Sequence, residues 1–360
     1  MLRSVNISKF RCFSNFKIEN MGRINIIMGK NNAGKTCLLE ALDLLKSGTP
    51  ASLVSAANRR AEFSYVDTNG QPRLIPEIKH AFVGRALDLN NEFEINGKGD
   101  GADYSVKATI VPAQSVNHLT GVTQVQNSIG APQNIVDVEA KALRWQNSKE
   151  GAPGVLIPLF KGGIVQIPAQ SSIYNEPVRF VGTNTASIYD ATQLWSSVAR
   201  NRQHEETALK ALRIVESDVE RLVITSFPIS ALSVFLKDVD DAIPLGSFGD
   251  GTSRLLALAC HLVEAERGLL LVDEIDRGLH VSTMEKMWKL VITHAKQSNT
   301  QVFATTHSDD CLRGLASCLK ESPELRPEVV AYRVERNQEM PVRYDAGEII
   351  MSAESGIEIR

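Results

Sequence analysis

A chain of 360 residues with 43% apolar and 22% charged side chains has room for two average domains, or one large domain with an insertion, and its composition excludes long disorder, collagen-like repeats and extended coiled coil. A formal net charge of -3 excludes a global basic footprint, so contact with nucleic acid needs a local patch or a partner. The five cysteines are scattered with no C-x-x-C pair, and no apolar leader or bilayer-length apolar run is present, so neither a zinc or disulfide framework nor a membrane span is expected and a cytoplasmic location fits.

Taken in chain order, residues 2 to 19 read as two strands, with Val5 and Ile7, then Phe13, Phe16 and Ile18, at strand-like spacing. A third strand, 24 to 28, runs into glycine and a helix from Lys35 to about Leu45, which Ser47, Gly48 and Pro50 are expected to end. The first 48 residues lean basic, which suits a solvated face with phosphate ligands better than a DNA-facing stretch. Residues 50 to 190 show little helical periodicity. Phe93 and Ile95 answer Tyr104, Val106, Ala108 and Ile110 across a turn-rich segment, predicting a hairpin within an inserted antiparallel β lobe with long loops. From Ala191 to Ile224 the apolar spacing predicts helix throughout, and the absence of sustained heptads excludes long coiled-coil arms. Residues 244 to 319 alternate helix and strand, the pattern of a parallel sheet, and 329 to 344 read as a closing hairpin. The expected divisions are therefore 1–50, 51–190, 191–243, 244–328 and 329–360.

Gly29-Lys30-Asn31-Asn32-Ala33-Gly34-Lys35-Thr36 matches G-x-x-x-x-G-K-[ST] between a predicted strand and a predicted helix, the context that motif requires. Its glycines let main-chain N–H groups curl round phosphate at a helix N-terminus, through Gly29, Asn31, Asn32, Ala33, Gly34 and Cys37. Lys35 is expected on the terminal phosphates of ATP and Thr36 on Mg²⁺.

Leu269 to Val272 form a buried-strand run ending in Asp273-Glu274, which sets two carboxylates at the carboxyl edge of a parallel sheet. Asp273 suits a magnesium ligand and Glu274 a general base, against the alternative of plain helix-capping acids. Gly246 to Gly251, GSFGDG, precede a helix whose start exposes N–H donors. Either a second phosphate from another subunit fills it, or Ser247 simply caps the helix. His307, at the exit of the strand predicted for 302–306, is placed to hydrogen-bond the γ-phosphate or the attacking water. Asp238-Val239-Asp240-Asp241 reads as a solvated acidic loop rather than a nuclease metal site.

In this order the segments NISKFRCFSNF (6–16), 29–39, SFGDGTSRLL (247–256), LLVDEIDRGLH (270–280) and QVFATTHS (301–308) resemble the ABC-ATPase heads of the RecF, SMC and OLD (overcoming lysogenization defect) group, and most closely the short bacterial OLD-like AAA-type ATPases. The resemblance implies an α/β P-loop NTPase of the ABC head class, with a mostly parallel core sheet, an inserted antiparallel β lobe and a helical segment. It further implies an ATP-hydrolysing switch with Lys35, Glu274 and His307 in catalysis, and a homodimer in which Ser247, Gly249 and Gly251 act in trans as the signature. Asp276, Gly278 and His280 stand in the D-loop. The signature is degenerate at Phe248 and Asp250, which disfavours membrane transport. Only 52 residues follow Ser308, too few for a Toprim nuclease, so the resemblance implies a separately encoded effector, in bacterial anti-phage defence. A RecF-like repair or loading ATPase that binds DNA itself is the alternative.

Overall fold

The computed structural model describes residues 1–68, 71–113, 141–148, 154–164, 174, 176–183, 188–225 and 230–356. The chain divides into two compact units, one of residues 1–20, 40–175 and 337–340, the other of 21–39, 176–336 and 341–360.

The first unit is built on a seven-stranded antiparallel sheet. Its order is Gly163–Ile164, Val155–Phe160, Lys141–Asn147, Asp103–Pro112, Glu92–Gly99, Leu2–Phe10 and Phe13–Ile18. Alternation of apolar and polar residues explains its two faces: Val5, Ile7, Phe93, Ile95, Val106, Ala108 and Ile110 are all buried. The predicted hairpin is present with Ile95 opposite Val106, and the expected N-terminal pair continues the same sheet through Ile7 opposite Ile95. The N-terminal strands thus belong with the lobe, a division the sequence spacing does not reveal. Leu45 packs so closely on this sheet that a Cβ on Gly97 would stand 2.6 Å from its Cδ2, which explains a glycine inside a strand.

Helix Lys35–Ser47 ends where expected, and a second helix follows directly after Gly48 and Thr49. Thr49 takes the N-cap position and Pro50 the first turn of a helix Pro50–Arg59, so the proline starts a helix where it was expected to mark an end. Arg11, Glu40, Arg60 and Glu62 form one ionic cluster in this unit. Glu40 lies 2.6 Å from Arg11 and 2.7 Å from Arg60, and Arg11 also pairs with Glu62 at 2.8 Å.

The second unit carries a six-stranded sheet in the order Val178–Val181, Leu269–Val272, Gln301–Thr305, Ile24–Met28, Val329–Arg333 and Val342–Asp345. The first five run parallel and the last pairs antiparallel, forming the predicted closing hairpin. Leu269–Val272, Gln301–Thr305 and Ile24–Met28 are buried at every position, as strands covered on both faces must be. Helices Asp250–Glu264, Val281–Gln297 and Asp309–Glu321 contribute Leu255, Leu262, Trp288, Ile292, Leu315 and Leu319 to the core. The short strand Val178–Val181, inside the span expected for the lobe, is an outer strand of this sheet.

Helix through 191–224 is corrected. Helices Ile188–Val198 and Arg202–Leu212 are followed by strand Val219–Thr225, which pairs with Ala231–Leu236. Val219, Val223, Ile224 and Thr225 are β-branched, and that preference for the pleated surface overrides the three-and-four spacing of Val215, Val219 and Leu222. Asp238 to Asp241 lie exposed beyond the second of these strands, and no trio of His, Cys, Asp or Glu fit to hold a metal occurs among the described residues.

Glu40, with 1% of its side chain exposed, answers two guanidinium groups, so Glu40→Ala is expected to cost about 1–3 kcal/mol by removing a charged partner from Arg60 and from buried Arg11, which keeps only Glu62. A lower urea midpoint by circular dichroism checks this; an unchanged midpoint contradicts it.

Candidate nucleotide site

Because the strands are parallel, the carboxyl ends of Ile24–Met28, Gln301–Thr305 and Leu269–Val272 lie side by side. Each end hands over to one functional segment. After Met28 the chain turns at Gly29 with φ +142°, a position where a Cβ would meet Val334 O at 2.3 Å. Asn32 (φ +62°) and Gly34 (φ +104°) are also left-handed, and such alternation of backbone hand lets neighbouring main-chain N–H groups converge on one anion as in a nest, directly before helix Lys35–Ser47. Lys35 Nζ donates to Gly29 O at 2.7 Å and Lys30 O at 3.0 Å. Burial pushes its amine below the usual lysine range, and Asp273, Glu274 and Asp276 oppose that shift. Asn31 and Asn32 are exposed, Ala33 and Gly34 buried, Thr36 and Cys37 half-buried.

Asp273 joins all three strand ends. Its Oδ2 accepts from the Thr36 hydroxyl at 2.9 Å and its Oδ1 from the Thr305 hydroxyl at 2.6 Å. Thr305 Oγ1 in turn accepts the N–H of Glu274 at 2.8 Å. Thr36 and Asp273 therefore present neighbouring oxygens beside the anion nest, a donor set suited to a hard divalent cation. Glu274 sits in the left-handed region at φ +50°, an arrangement costing a non-glycine residue about 1–2 kcal/mol, so the chain leaves the strand sharply at this residue. Its Oε2 lies 3.4 Å from Arg277 and its Oε1 3.9 Å from Nδ1 of His307, which is 48% exposed.

In the following loop Thr306 donates to Asp276 at 2.6 Å, and Gly278 (φ +75°) packs on Gly251. His280 caps helix Val281–Gln297, its Nδ1 accepting from Ser282 N at 3.3 Å. Ser308 likewise caps Asp309–Glu321. In contrast, helix Asp250–Glu264 has Gly249 (φ +86°) at its N-cap and no side-chain cap, so Ser247 does not fill the capping role the sequence left open. Ser247 and Gly249 are exposed, whereas Phe248 packs against the core.

Two further groups at this site lie in recognisable segments that assign them no role. Thr305 hides in an apolar strand. Arg254, one turn into helix Asp250–Glu264, is buried and donates to the main-chain oxygens of Gly182, Asp273 and Glu274 at 3.1, 2.8 and 2.7 Å. Burial, then nearby Arg277, pushes its guanidinium below the usual arginine range. The available signal is a lone arginine four residues from Leu258 on the inward stripe of an apolar helix.

Comparison with known proteins gives the family of the chain. Residues 24–312 match the family described as "AAA domain, putative AbiEii toxin, Type IV TA system". The chain belongs to this family. It is a P-loop NTPase and a nucleotide-binding ATPase of the AAA type. It is similar to an ATP/GTP phosphatase of Helicobacter pylori, 25% identical over 349 residues that cover 89% of each chain. It is also similar to an OLD nuclease of Thermus scotoductus, 22% identical over 86% of this chain and 59% of that protein. The SMC head domain from Thermotoga maritima is 12% identical over 96% of this chain and 98% of its own, with a TM-score of 0.44. No helix among the described residues is long and apolar enough to cross a membrane.

Removing the Thr305 hydroxyl leaves an Asp273 oxygen and the Glu274 N–H without this partner in a buried setting. Thr305→Val is expected to destabilise the protein by about 1–3 kcal/mol and to slow ATP hydrolysis, read by thermal melting and phosphate release. Unchanged melting and rate would contradict the assignment.

Proposed function

We propose that this protein is an ATP-hydrolysing switch that dimerises around ATP and controls DNA binding or a separately encoded effector nuclease. The observation that carries the reading is the uncapped start of helix Asp250–Glu264, beside exposed Ser247 and Gly249. Main-chain N–H groups there have no capping side chain, and a helix start of this kind favours an anion. The chain's own phosphate nest lies at 29–36, so the second anion is assigned to nucleotide held by another copy.

Within one copy, the loop N–H groups and Lys35 hold the triphosphate and offset its charge. Thr36 and Asp273 hold Mg²⁺, which when bound supplies charge neutralisation on the phosphate oxygens. Glu274 accepts the proton of the attacking water, and its left-handed main chain turns its carboxylate out of the strand. His307, within 3.9 Å of Glu274, hydrogen-bonds the γ-phosphate or that water. Asp276 and Gly278 shape the loop that meets the other copy. The downstream part, in bacterial anti-phage defence, is supported by likeness to a protein named as an OLD nuclease and by a family description that names a toxin.

Glu274→Gln keeps the hydrogen-bonding shape of the side chain but removes its basicity. It is expected to bind ATP, to hydrolyse it at least about 100-fold more slowly, and to accumulate as a dimer by light scattering. A variant that stays monomeric with saturating ATP would defeat the sandwich reading.

A further inference from the structure

Helix Asp250–Glu264 is tied to the catalytic loop at two points. At its first turn Gly251 lies against the loop so tightly that a Cβ would stand 2.2 Å from Gly278 O. One turn on, Arg254, 5% exposed, spreads its guanidinium over the oxygens of Gly182, Asp273 and Glu274. The third oxygen belongs to the residue in the left-handed conformation. Thr305 fixes the N–H side of that residue and Arg254 its carbonyl side. The peptide planes flanking the Glu274 side chain are thereby fixed at both ends.

A planar, permanently charged fork with several donors serves three carbonyl oxygens at once, and a single ammonium on a flexible stem does not reproduce that geometry. Helix and loop cannot move independently while these bonds last. A displacement at the start of the helix reaches Glu274 through Gly251–Gly278 packing and through Arg254.

We infer that Arg254 is a positioning residue for hydrolysis, fixing the main chain of Glu274 and relaying to it the seating of a second copy's nucleotide on the helix start. This rests on the proposed roles of Glu274 as base and of 247–251 as the trans-acting segment. Arg254 gives its hydrogen bonds to main-chain oxygens, so its effect passes through Glu274.

The test uses the full chain with Arg254→Lys and Arg254→Met. Hydrolysis is measured in steady state, affinity with a fluorescent ATP analogue, and folding by thermal melting. Arg254→Lys is expected to lower kcat about 10- to 100-fold while KM and nucleotide affinity stay within about threefold, because the base is misplaced and the phosphate nest is intact. Placed on Glu274→Gln, Arg254→Lys should slow the residual single-turnover rate no further, since both act through one side chain. Should Arg254→Met fail to fold, Arg254→Lys carries the test. Full kcat in Arg254→Lys, or losses that multiply in the double variant, overturns the inference and leaves Arg254 as packing. Wild-type hydrolysis by Glu274→Gln would instead sink the underlying reading, and the inference with it. Loss in Glu274→Gln beside full activity in Arg254→Lys sinks the inference alone.

Discussion

One carboxylate organises the site. Asp273 takes the Thr36 hydroxyl on one oxygen and the Thr305 hydroxyl on the other, so the exits of three neighbouring parallel strands are joined by two short bonds. Parallel strands deliver all their carboxyl ends to one edge, where helices must begin and main-chain donors point outward. Segments separated by more than 230 residues therefore meet without any long loop having to find its way. Replacing this parallel order with antiparallel strands would scatter the phosphate nest, the two acids and His307 over opposite edges.

The same edge explains the strained backbone at the carboxylate of Glu274. Continuing the strand beyond Asp273 would bury the next side chain, whereas φ +50° at Glu274 directs the chain away and leaves that carboxyl partly exposed between Arg277 and His307. Such a conformation persists only where its surroundings over-determine it. Here the surroundings are specific: Thr305 on the N–H, Arg254 on the carbonyl, and the Arg277 N–H, which donates to that same carbonyl at 3.0 Å. Strain at the site is thus balanced by hydrogen bonds that come from a strand, a helix and the loop itself.

How much of this is legible in the sequence follows from which chemistry uses side chains in a fixed local order. The phosphate loop and Asp273-Glu274 are contiguous and their residue types are dictated by their roles, so they stand out. Arg254 does not, because its three partners are main-chain oxygens, which every residue has. Val178–Val181 escapes as a four-residue strand between loops, and Pro50 misleads because proline both ends helices and begins them. Val219–Thr225 shows that apolar spacing three and four apart yields to β-branched content when the segment has a strand to pair with. The sharing of one sheet by the N-terminal strands and the lobe is a long-range pairing, and no local pattern encodes it.

If the uncapped helix start belongs functionally to a nucleotide held by another copy, defects in the two segments must complement each other between chains. The direct measurement is ATP hydrolysis by a mixture of Lys35→Ala and Ser247→Arg proteins, each inactive alone. A trans-acting site predicts that mixing restores about a quarter of wild-type activity, because half of randomly formed dimers carry one intact site of two. A mixture as inactive as its components would contradict the account.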